Sequence, residues 1–297
     1  MTSMTRLATI TALASAIALP SVAQAEDKET IRIGWGPWAT NEAITKVVQP
    51  IIEERFGHDV ELVQGGIAPI YAGVANGDFD FFLGSWQPDT QAKYVEKFEK
   101  DFISLGTLYN GGKLGWAVPE YVPEDKVSSI EDLKKEGIAE KFDNRVQGIG
   151  PGGGLMQKSE KAVNHVYNLA DDYTLATASG PAMTAALKRA VTRDEWIIVT
   201  AWSPHWKFAA YDLRYLEDPE NVFGTEERIL AIGREGFFKD HPRIASFIDR
   251  VYMPTRQMEQ MMLEAEETDV EKAAEKYIEN HPERIDYWVT GEHGGEI

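Results

Sequence analysis

Apolar and polar positions in this chain switch repeatedly between a period of two and a period near 3.6. Residues 29–34 (ETIRIG) alternate as a strand does, and the chain then opens into WGPWAT. Ile44, Val47, Val48, Ile51 and Ile52 follow at helical spacing. Thr40 or Asn41 is the expected cap of that helix, and Glu42 lies in its first turn, where the dipole favours an acid. Pro50 should bend it. Residues 60–63 read as a second strand, GGIAP leads into a short helix ending at Asn76-Gly77, and the apolar run 79–83 reads as a buried strand. Strand and helix take turns over short connections, which is the α/β pattern.

The stretch DFDFFLGSWQPDT (78–90) then delivers Trp86 directly after a strand, with Pro88 preset for the first turn of a polar helix over 88–100. Two strands are expected at 102–108 and 113–118, the second carrying Trp116 mid-strand, and Pro119 and Pro123 mark a break. Ser128-Ser129-Ile130-Glu131 has the capping-box form. A strand at 146–149 runs into the glycine loop 150–154, with a helix over 155–169 behind it. Gly180-Pro181 opens another helix, and the apolar strand 196–201 delivers Trp202 at its carboxyl end. Beyond Tyr211 one strand is expected at 228–232, then helices over 242–264, 270–279 and 282–289. The methionines Met253, Met258, Met261 and Met262 read as a packing face. No internal repeat shows in the sequence. Crossings between two lobes are expected near Pro119–Pro123 and after Trp206. They divide the chain into 26–118 and 207–297 as one lobe and 119–206 as an inserted second.

The amino terminus changes where this fold is placed. Arg6, the apolar stretch 7–19, Pro20 and Ala23-Gln24-Ala25 together read as a secretory signal peptide over 1–25. The mature chain is expected in the periplasm. Cysteine is absent, which removes disulfides, thiolate metal sites and thiol nucleophiles. The formal net charge of −18 argues against nucleic acid, whose affinity comes from basic residues neutralising phosphate.

Candidate chemistry rests on tryptophan. Trp38, Trp86 and Trp202 lie at or near the carboxyl ends of expected strands, where open α/β sheets hold ligands, and Trp116 lies near a candidate hinge. Trp196 and Trp288 are assigned to packing; Trp35 and Trp206 are neighbours of better candidates. Indole faces gathered from two lobes suit a quaternary or N-methylated ammonium. Such a cation has no N–H to donate and is drawn to aromatic faces, at roughly 0.5–2 kcal/mol per face. Each indole alone is more often a packing residue than a ligand wall; their joint occurrence at strand ends carries the reading.

Rival motifs are weak. Gly148–Gly153 satisfies GxGxxG, but Pro151 stiffens the turn, and Lys158-Ser159 lies too far from the glycines for a phosphate loop. The six histidines lack zinc-site spacing and no GxSxG elbow occurs. No metal or cofactor is expected. The alternative is a periplasmic enzyme acting on a methylated amine, with Glu42, Asp89 or His205 as acid or base.

IRIGWGPWATNEAIT, DFDFFLGSWQPDT, GIGPGGG and VTAWSPHW followed by DLRYLEDP resemble the substrate-binding proteins for glycine betaine, choline and related osmolytes that serve ABC importers. The resemblance implies a two-lobe periplasmic-binding-protein fold of type II-like form, with a hinge and a central cleft. It also implies an aromatic box from Trp38, Trp86 and Trp202, with Trp116 at a position where choline binders carry tyrosine. Choline binders place an acid shortly after the first box aromatic; here Thr40 and then Glu42 follow Trp38, and Glu42 is counted among the expected ligand-binding residues. They also carry an asparagine where this chain has Gly152-Gly153-Gly154. Glycine betaine or trimethylamine N-oxide is therefore expected ahead of choline. Backbone N–H groups of Gly152 and Gly153, with His205, would serve the ligand oxygen. The implied partner is an inner-membrane permease, and the implied state is a monomer.

Overall fold

The computed structural model describes residues 29–292, so the expected signal peptide lies outside the described residues. In chain order the first elements are β1 (Ile31–Trp35), α1 (Ala39–Ile51), β2 (Val60–Gln64), α2 (Ile67–Asn76), β3 (Phe81–Gln87), α3 (Ala92–Phe98) and β4 (Phe102–Pro119). Then come β5 (Arg145–Gln147), α4 (Gly154–Lys161), β6 (Thr174–Ala176), α5 (Gly180–Thr192), β7 (Ile198–Ser203), the turn α6 (Lys207–Ala210), β8 (Leu213–Tyr215) and β9 (Glu227–Arg234). Five helices follow among the described residues: α7 (Phe237–Asp240), α8 (Pro242–Arg250), α9 (Thr255–Glu267), α10 (Val270–Asn280) and α11 (Pro282–Thr290).

The strands run in the order β2-β1-β3-β9-β4-β7-β5-β6, with β8 on β4. β1 pairs in parallel with β2 and β3, and β5 in parallel with β6 and β7; β9 and β4 join the two sets antiparallel. The same local order therefore occurs twice: β2-β1-β3 on one side, β6-β5-β7 on the other. A repeat of architecture is present that the sequence does not display.

β4 belongs to both halves. Residues Phe102 to Gly112 pair with β9, and Lys113 to Ala117 pair with β7. The change of partner thus falls between Gly112 and Lys113, inside one continuous strand rather than at Pro119–Pro123. Gly106 and Gly111 both have positive φ, and the β4–β9 ladder shifts register near each. These irregularities make the stretch read as two strands. The return passage lies between β8, which still pairs with the second half of β4, and β9, so it comes later than Trp206.

Three local expectations need correcting. Trp38, not Thr40 or Asn41, holds the N-cap of α1, with no side-chain cap. Asn41 is instead a buried strut whose Oδ1 accepts Gly36 N–H (2.7 Å) while Nδ2 donates to the Leu83 carbonyl (2.8 Å). Pro50 sits in the last turn of α1, which runs on into a π-helical turn at Ile52–Phe56. Trp86 lies within β3 rather than after it, and Pro88 lies in a turn ahead of α3. The methionines of α9 and its approach are buried, as their spacing predicts. Among the described residues no helix is long and apolar enough to cross a membrane.

Candidate functional site

A cavity of about 120 Å³ opens where the carboxyl ends of the two strand sets face each other. Trp38, Trp86 and Trp202 all line it. The first half contributes Trp38 from the N-cap of α1, Trp86 from β3, and Thr90, Gln91, Lys93 and Tyr94 from the turn and helix that follow. The second half contributes Trp202 from β7, Ile149, and Gly153, Gly154, Leu155 and Gln157 around the start of α4. The duplicated strand order explains the matched supply: β3 and β7 each bring a tryptophan, and α1 and α4 each bring a helix N-terminus.

Each indole is held by a separate device. The Trp38 ring lies over Gly36, where a Cβ would fall 1.7 Å from Cζ3, so only glycine fits there. Phe82 packs edge-on against it at 6.2 Å. Trp86 is 4 % exposed and packs over Gly112, whose added Cβ would meet its Cζ3 at 2.8 Å. Buried Gln91 fixes its backbone: Oε1 accepts Trp86 N–H (3.1 Å) and the Tyr71 hydroxyl (2.9 Å), and Nε2 donates to Gly84 O (3.2 Å). Behind this, Glu227 accepts the N–H groups of Asp89 and Thr90, each at 2.9 Å, and the Thr90 hydroxyl.

Trp202 is backed by an unusual pair. Lys207 is fully buried, with Nζ 4.3 Å from the Trp202 ring centroid and no hydrogen-bond partner among the described residues. Burial lowers its pKa well below the ordinary lysine range, with Glu259 acting in the opposite sense. His205 packs edge-to-face on Trp202 at 4.4 Å, and its Nδ1 accepts Lys207 N–H at 3.2 Å. Burial first, and Lys207 second, hold its pKa well below the usual imidazole value, so the ring is neutral with its proton on Nε2.

The other expected site residues lie elsewhere. Trp116 is outside the lining: its ring is fully buried, Nε1 donates to Ser159 Oγ at 3.0 Å, and Phe223 packs against it at 5.8 Å. His205 sits behind Trp202 and does not line the cavity. Gly152 is exposed with φ +89°, forming the turn ahead of the lining residue Gly153. Glu42 faces Lys46, Glu271 and Glu266 on the helical side, and burial raises its carboxyl pKa. Lys93, Gln157 and Gln91 were missed by sequence reasoning. They sit on helices read only as polar or as following the glycine loop, and nothing local marks which turn meets a cavity.

Chemically the lining offers aromatic faces, amides and the start of a helix. None of its side chains is an acid, and its one ionisable cation is Lys93 at the rim. α4 has no side-chain cap, which leaves the N–H groups of its first turn for an outside acceptor. Among the described residues no group of three or more His, Cys, Asp or Glu is placed to hold a metal ion.

Comparison with known proteins gives the family of the chain. Residues 29–280 match the OpuAC family, described as the substrate binding domain of ABC-type glycine betaine transport systems. The chain is 35% identical over 161 residues to the glycine betaine/carnitine transport binding protein GbuC of Listeria monocytogenes. That match covers 54% of this chain and 53% of GbuC, so the chain spans about half the length of that relative. Among solved structures, lactococcal OpuAC in its closed conformation with glycine betaine is similar at 34% identity and TM-score 0.80, covering 89% of this chain and all of that one. The glycine betaine/L-proline-binding protein ProX of Borrelia burgdorferi gives 31% identity and TM-score 0.80, over 88% of this chain and 97% of that one. A choline-binding protein in complex with choline shares the fold at 22% identity and TM-score 0.78, covering 88% and 92%. The chain belongs to the OpuAC family, the substrate-binding domains of ABC-type glycine betaine transport systems, and is a binding protein, not an enzyme.

Proposed function

We propose that this chain traps a methylated ammonium of zero net charge, glycine betaine or trimethylamine N-oxide ahead of choline. It works in the periplasm as a monomer and hands the ligand to an inner-membrane permease. The observation that carries the reading is the convergence of Trp38, Trp86 and Trp202 on one cavity whose lining holds no acid. Three desolvated faces at roughly 0.5–2 kcal/mol each, with burial of the methyl groups, are compatible with micromolar binding. Choline would present a bare positive charge beside Lys93, whereas a zwitterion or an N-oxide brings its own compensating oxygen. The uncapped start of α4 at Gly153–Gly154 supports a seat for that oxygen. Its proposed holders are the backbone of Gly153 and Gly154, with His205 setting the pose of Trp202 from behind.

Competition calorimetry tests this. Glycine betaine and trimethylamine N-oxide, titrated separately, should each bind more tightly than choline by about tenfold or more. Equal or tighter choline binding would reverse the ligand assignment. No heat from any of the three would remove the methylated-ammonium class.

A further inference from the structure

The two halves of the chain touch directly over the cavity at one glycine. A Cβ added to Gly154 would come 2.5 Å from Thr90 Cγ2 and 2.7 Å from the Thr90 carbonyl oxygen, closer than such atoms pack. Gly154 is the first residue of α4 and lacks a left-handed φ, so its own backbone does not call for glycine. Helix propensity there would favour alanine. The neighbouring Gly153 meets nothing within 4 Å, so the restriction belongs to position 154 alone.

Thr90 cannot simply give way. Its N–H is held by buried Glu227 at 2.9 Å, and its hydroxyl is bonded to the same carboxylate. Three residues further along each segment the halves meet again, where Lys93 Nζ donates to Gln157 Oε1 at 3.0 Å. All four residues line the cavity. We propose that Gly154 is a positioning residue for ligand retention: its missing side chain lets α4 seat against Thr90 and seal the two halves over the bound ligand. A side chain at 154 would wedge this seam apart while leaving each half, and each tryptophan, folded as before.

This rests on the ligand reading above, so the wild-type chain is the control for that reading. Stopped-flow tryptophan fluorescence with glycine betaine gives association and dissociation rates for wild type, Gly154→Ala and Gly154→Ala/Thr90→Ser. Gly154→Ala should raise the dissociation rate by about tenfold or more with much less change in association. The Tm of its unliganded form should not fall. Thr90→Ser removes the nearer of the two clashing atoms and should recover part of the loss, which a general folding defect would not do. If Gly154→Ala fails to fold, Gln157→Ala, which cuts the second contact of the seam, should still speed dissociation. Wild-type binding with unaltered dissociation from Gly154→Ala, or from Gln157→Ala in its place, overturns the inference alone. Absence of binding by the wild type overturns the ligand reading and the inference together.

Discussion

The carboxylate of Glu227 accepts the backbone N–H of Thr90 at 2.9 Å, joining β9 to the turn behind Trp86 across 137 residues of sequence. The same group takes Asp89 N–H at 2.9 Å and the Thr90 hydroxyl, and it is 3 % exposed. One buried acid thus sets the wall that carries Trp86, Gln91 and Lys93.

Replacing it should therefore affect both stability and binding. Glu227→Gln retains the shape but loses a charged acceptor for two N–H groups. Hydrogen bonds to charged groups contribute about 1.5–3 kcal/mol each, so a loss of several °C in Tm is expected. Affinity for glycine betaine should fall with it. Thermal melting with and without ligand checks both, and an unchanged Tm would show that the turn holds itself.

Trp116 separates packing from binding. Trp116→Phe removes the donor to Ser159 and leaves a buried hydroxyl without it, at a cost of about 1–3 kcal/mol. Its buried ring does not line the cavity, so the dissociation constant should stay within about twofold of wild type. Calorimetry on the folded variant decides; a tenfold loss would return Trp116 to the box.

Lys207 offers a stabilising change. Its amino group is fully buried with no hydrogen-bond partner among the described residues, and burying such a polar group unpaired costs about 1–3 kcal/mol, which an apolar side chain of similar length does not incur. Lys207→Met should raise the Tm. A lower Tm would mean that its contact with Trp202 outweighs the burial of its amino group.

Glu42 predicts a pH dependence with a definite sign. Burial raises its folded pKa above 4.5, Lys46 opposes this and Glu271 adds to it, so the folded chain binds the proton more readily than the unfolded one. Its contribution is fully present below about pH 4.5 and is lost as pH rises through the raised value. Glu42→Gln should be more stable than wild type at neutral pH, with the gap narrowing as pH falls towards 4.5. Melting curves across that window check it. Ligand affinity should be unmoved, because Glu42 is not in the lining.

The placing of three tryptophans around one cavity was legible in the sequence because the signals were local. A tryptophan beside a strand end, as at Trp38, Trp86 and Trp202, carries its position with it: strand carboxyl ends gather on one edge of an α/β sheet. Trp116 was misplaced because alternation along a strand does not say which face looks into a cavity and which into the core. Glu227, Lys93 and Gln157 act through partners 137 and 64 residues away, and no window of sequence holds both members of such a pair. The passage between halves was assigned to prolines because breaks in pattern are visible, whereas β4 changes partners without breaking its chain of strand residues. The duplicated strand order leaves no trace in residue identity. It is a property of pairing, not of composition.

In the proposed site three indoles from separate segments hold one methylated ammonium. Titrating glycine betaine calorimetrically into Trp38→Ala, Trp86→Ala and Trp202→Ala, each verified as folded, tests it most directly. Each variant should lose about tenfold or more in affinity, the contribution of one desolvated aromatic face. Wild-type affinity in all three would contradict it and return these tryptophans to packing.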